Sequence, residues 1–124
     1  MIWMLKERRT RRSAERQTAL RYQLEYTREK GGLEAVVVAD DAGLIVGSAG
    51  ESGVCEELGA YAPLMVRSVL GMKLPPMLRD GDVSVRPMSL NGQPLFLATI
   101  GGGVARYALL AHSEQGVSRI LAAN

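Results

Sequence analysis

The sequence predicts an α/β fold, with one antiparallel sheet of five strands, helices on both faces, and the order α-β-β-α-β-β-β-α. Three observations predict it. The stretch Leu33 to Ser48, LEAVVVADDAGLIVGS, holds two apolar runs joined by Asp40-Asp41-Ala42-Gly43, which reads as a tight hairpin. The runs Ala35 to Ala39 and Leu95 to Ile100 are apolar at successive positions, so each strand needs cover on both sides. Between them lies a segment from Val54 to about Met72 with apolar residues at steps of three and four, the spacing of a buried helix.

The first helix is expected from Ser13 to Lys30, a run without Gly or Pro that Gly31-Gly32 can stop. Leu20 and Leu24 give it a narrow apolar face, and Tyr22 and Tyr26 form a stripe beside that face. Residues 6–12 upstream either extend the helix or fray. After the hairpin, Ala49 to Gly53 reads as a loop in which Ser52 caps the next helix. That helix carries Leu58, Tyr61, Met65 and Val69 on a stripe too wide for one face, and Gly59-Ala60 permits close approach of another backbone. Pro63 should kink it or start a second segment.

Leu74-Pro75-Pro76 ends the helix, and Val83 to Arg86 alternates as an edge strand, with Pro87 unable to donate to a neighbour. Asn91-Gly92 is a strong hairpin signal. Leu95 to Ile100 should lie inside the sheet. Gly101-Gly102-Gly103 then turns the chain into a fifth strand, Ala105 to Ala111, and Glu114 to Ala122 closes as a short helix. The organisation is one domain over 13–124 behind a basic arm at 1–12, whose plain reading is a solvated and partly disordered segment.

Charge is unevenly spread. Residues 1–30 hold nine basic and four acidic side chains, a net of +5, so the remainder carries −3 within a total of +2. Such a start can meet nucleic acid, an acidic lipid surface or an acidic protein face. One cysteine excludes an internal disulfide and a thiolate metal cage, and the chain reads as cytoplasmic. Met1 to Leu5 is apolar but too short for a signal peptide or a membrane span.

Catalytic chemistry finds no constellation. His112, the only histidine, reads as structural or solvent-facing at a strand end. Cys55 lies near a helix N-terminus, which can lower a thiol pKa, but its neighbours Glu56 and Glu57 favour a small core residue. Asp40 and Asp41 do not face one another as a hydrolytic pair, and Asp80-Gly81-Asp82 lacks most of a calcium loop. The triple glycine joins two strands and has no P-loop lysine. Nothing in the spacing marks Arg79 or Arg106 as an arginine finger. No catalytic residue, cofactor or metal site is therefore assigned, and the chain is read as a non-enzyme.

Three stretches, GLEAVVVADDAGLIVGSAG, CEELGAYAPLM and PLFLATIGGGVARYALLAHSEQGVSRIL, together with the helix from Ser13, resemble the Roadblock family. That family comprises small regulators related to dynein light chains and to bacterial polarity and motility regulators. The resemblance implies a profilin-like α/β/α sandwich and a homodimer in which central helices pack together and edge strands pair. The interface would then involve Leu58, Tyr61, Met65 and Val69 with Val83 and Val85. It also implies a Ras-like small GTPase as partner, with this chain as scaffold or modulator of GTP hydrolysis. Pro63 and the basic arm depart from the family pattern. Two rival readings stand beside it: a small-molecule sensor of profilin-like fold, and a nucleic-acid or membrane-surface module working through residues 6–16.

Overall fold

A computed structural model describes residues 2–67, 82–101 and 106–122. Helix α1 (Ile2–Gly31) leads into strands β1 (Leu33–Asp40) and β2 (Ile45–Gly50), then helix α2 (Ser52–Val66). Strands β3 (Val83–Leu90) and β4 (Gln93–Gly101) follow, and helix α3 (Arg106–Ala122) comes last. The sheet is antiparallel in the order β2-β1-β4-β3. The two strands that are apolar on both sides, β1 and β4, are the central pair.

The two hairpins form for the reasons the residues suggest. In the first, Asp40 Oδ1 accepts from the backbone N–H groups of Ala42 and Leu44, each at 2.9 Å, and Gly43 takes φ +83°. A register shift between Val38 and Ala39 absorbs the extra residue. In the second, Asn91 and Gly92 both have positive φ, at 53° and 78°, and Leu90 faces Gln93 across a two-residue turn.

Side chains alternate across the sheet into two apolar layers. On one face Leu20 and Leu24 of α1 and Leu110 and Val117 of α3 pack on Val36, Val38, Leu95 and Leu97. On the other, Val54, Cys55, Leu58 and Ala62 of α2 pack on Ala35, Val37, Phe96, Ala98 and Ile100. The result is an α/β/α sandwich. The helices of the first face are also joined by a buried hydrogen bond of 2.9 Å between the hydroxyls of Thr27 and Ser113.

Several expectations need correction. The described residues form four strands rather than five. The segment from Ala105 to Ala111, expected as a strand, is from Arg106 onward the start of α3, because it lacks β-branched residues and Leu110 and Val117 lie two turns apart on one helical face; Ala105 lies outside the described residues. The triple glycine therefore does not join two strands: Gly101 ends β4, and α3 begins at Arg106. Strand β2 runs on through Ala49 and Gly50, where the residue types suggest a loop. Glu51, not Ser52, caps α2. Helix α2 continues through Pro63 to Val66, and the expected extension to Met72 lies outside the described residues, as do Arg79 and Asp80-Gly81. Helix α1 begins at Ile2, well before Ser13, so its backbone passes through the basic segment.

Candidate interaction surface

Among the described residues, the face under α2 is covered by one helix only, and apolar residues at its margin are partly buried. Glu51 starts the helix by accepting from Gly53 N–H at 2.9 Å on one carboxylate oxygen and from Val54 N–H at 3.0 Å on the other. These two backbone bonds, that to Gly53 the stronger, hold its carboxyl below the ordinary value of 4.5. The helix then approaches the first hairpin closely. A Cβ placed on Gly43 would lie 3.2 Å from Ala60 Cα, and one on Gly59 would lie 3.1 Å from Ile45 Cγ1. The close approach foreseen at Gly59-Ala60 is thus made by the chain's own turn. Arg67, the C-cap of α2, also pairs with Asp41 of that turn.

Helix α2 packs on all four strands. Its Leu58 is completely buried. Tyr61 and Met65 are half-buried, and so are Val83 and Val85, all four lying against the margin of the same apolar cluster. Val69 lies outside the described residues. Strand β3 pairs with β4 on one side, and its other edge meets no strand among the described residues. Pro87 lies on this edge strand and is exposed. On the opposite face, Arg86 forms an ion pair with Glu114 of α3.

Val66, which the sequence places on the wide stripe, is 38% exposed on the last turn of α2, and beside it is Leu64, 37% exposed, which sequence reasoning did not single out. Nor did it single out Leu44 at the hairpin, 67% exposed. Their signal was available: the wide stripe of α2 has more apolar positions than one sheet face can bury. Tyr22 and Tyr26 are likewise exposed on α1, and the Arg21 guanidinium lies 5.7 Å from the centre of the Tyr22 ring.

Chemically reactive groups are set apart from this surface. Cys55 is buried, its Sγ 3.6 Å from the Ala49 carbonyl, and burial pushes its thiol pKa up, so it is a core residue rather than a nucleophile. His112 is exposed on α3, within a helix and not at a strand end. Among the described residues no group of three or more His, Cys, Asp or Glu side chains could hold a metal ion. An open depression of about 540 Å³ is lined by Asp40, Asp41, Ala42, Arg67, Gln93 and Pro94, where the Asp41–Arg67 pair brings opposite charges together. Between the sheet and its helices, among the described residues, lie the two apolar layers.

No protein-family profile matches the chain, and no curated protein sequence matches it. Solved structures do. MglB of Myxococcus xanthus superposes with a TM-score of 0.59 at 12% identity, covering 84% of this chain and 88% of that one. The architecture is therefore a Roadblock-type fold like that of MglB, α/β with an antiparallel sheet and three helices.

Proposed function

We propose that this chain is a non-enzymatic regulator or scaffold that acts as a homodimer and binds a Ras-like small GTPase. The observation that carries the reading is that Tyr61, Met65, Val83 and Val85 are only partly buried at the margin of one apolar cluster, and that no strand among the described residues pairs with the outer edge of β3. Two copies related by a two-fold axis would bury these side chains against each other and pair their β3 edges into one continuous sheet. The dimer face and its flanking helices then form a composite platform for a partner, and the Roadblock-type fold indicates the kind of partner. No catalytic side chain is required, because a bound protein can alter GTP hydrolysis by reshaping the GTPase's own switch loops.

The test is light scattering combined with recovery of partners. The native chain of 13.4 kDa should scatter as a particle of twice that mass, and Tyr61→Glu or Met65→Glu should give folded monomers. Affinity purification from the native cell should recover a small GTPase with the unaltered chain and markedly less with either variant. An unchanged dimer mass in both variants excludes this interface. Recovery of partners that never include a GTPase excludes the partner class.

A further inference from the structure

The residues of β3 restrict how a second copy can meet its outer edge. Backbone groups along an edge strand turn alternately toward the neighbouring strand and toward the open side. The Asp82 carbonyl accepts from Gly101 N–H at 2.9 Å, and Leu90 faces Gln93 across the tight turn. The even-numbered residues therefore spend their N–H and C=O groups on β4, and Val83, Val85, Pro87 and Ser89 turn theirs outward. Pro87 has no N–H to give, so each outward bond that calls on its nitrogen is lost.

Side chains alternate as well. Val83 and Val85 lie on the α2 side. Asp82, Ser84 and Arg86 share the other side, where Arg86 pairs with Glu114 of α3. A two-fold axis perpendicular to the sheet sets the two β3 strands antiparallel, with side chains of the same face opposite each other. An axis at Pro87 places two residues without N–H together. At Arg86 it brings two guanidiniums face to face and bonds Val85 against Pro87. At Val85 it bonds Val83 against Pro87 and sets Asp82 opposite Met88. With the axis at Ser84, Val83 and Val85 bond each other in both directions, and Pro87 stands beyond them. Asp82 of each copy then lies opposite Arg86 of the other.

We infer, resting on the homodimer proposed above, that β3 pairs with β3 of a second copy about an axis at Ser84, and that Asp82 and Arg86 make the edge select its own kind. Asp82 is exposed, and a guanidinium has five N–H donors, so Arg86 can hold Glu114 of its own chain together with a carboxylate across the axis. Opposite charges directly across a strand pair stabilise it and like charges destabilise it, and the two-fold axis repeats either effect. A strand without this order of charges fits the edge less well.

The test is a charge exchange in the whole chain, read by sedimentation equilibrium. Asp82→Arg alone and Arg86→Asp alone should each weaken self-association roughly tenfold, because each sets like charges across the axis twice. Mixed in equal amounts, the two variants should form a heterodimer of native strength, since both pairs are then opposite again. Mixing would not rescue a damaged fold. Ser84→Cys supplies a second reading: residues opposite each other in this way lie about 4.5 Å apart at Cα, within disulfide reach, so mild oxidation should link two chains. Arg86→Cys should not link, nor should the native chain, whose thiol is buried. A native dimer that ignores the charge exchanges, or that links through Arg86→Cys rather than Ser84→Cys, overturns this inference and leaves the homodimer standing. A native chain that sediments as a monomer overturns both.

Discussion

The two faces of the sheet are built from the same strands but finished differently. One is covered by two helices, α1 and α3, which are bonded to each other through Thr27 and Ser113; Leu20, Leu24, Leu97, Leu110 and Val117 between them are buried almost completely. Among the described residues the other face has α2 alone, and its cover thins from fully buried Leu58 to half-buried Tyr61, Met65, Val83 and Val85. Partly buried apolar residues fringe both clusters, Val46, Leu90, Ile120 and Leu121 on the first face and the four just named on the second. The faces differ in how many helices cover them, and under the proposal made above the margin of the second is where a second copy would meet the chain.

The comparison is broken or sharpened most strongly by removing bulk from each face. Leu97→Ala, on the closed face and inaccessible to solvent, should cost about 3 kcal/mol in urea unfolding. Tyr61→Ala should cost the monomer less than half of that and act instead on the oligomeric mass. Equal losses of monomer stability would mean that the two faces are finished alike.

A smaller effect is expected where α2 is anchored. Gly43→Val places a branched side chain at φ +83° and against Ala60 Cα, which should cost roughly 1–2 kcal/mol from the backbone alone. Since Cys55 is on the buried face of α2, loosening this anchor should speed labelling of its thiol, read with a disulfide reagent. Destabilisation without faster labelling would locate the strain in the turn and not in the seating of the helix.

The smallest effect concerns the cap. Glu51 has a lowered pKa in the folded chain, so its charged form contributes stability above the ordinary value of 4.5 and loses it as pH falls through the folded value. Glu51→Gln should therefore be less stable than the native chain at neutral pH, with the gap closing in acid. A gap that stays constant between about pH 7 and 3 would mean that the charge plays no part.

Much of this arrangement could be read from residue types. Hairpins announced themselves through Asp40 to Gly43 and through Asn91-Gly92, and β1 and β4 through their two-sided apolar runs. Where the reading failed, the cause was a short apolar run of ambiguous period. Tyr107 to Ala111 fits a strand or a helix by hydropathy, and only when joined to Val117 does the longer helical stripe appear. The candidate surface was legible as an excess of apolar positions on α2. Which of those positions remain half-exposed depends on how α2 seats on the four strands, a tertiary quantity with no local signal.

The Asn91–Gly92 turn has a consequence beyond joining two strands. Along β3 the side chains obey a strict parity: Val83 and Val85 lie on the α2 side, Arg86 and Met88 on the other. Slippage by one residue would exchange the sets, offering a serine and an arginine to the open margin and burying valines beneath α3. A two-residue corner at the far end of the ribbon thus acts as the phase lock for whatever meets the molecule at its rim.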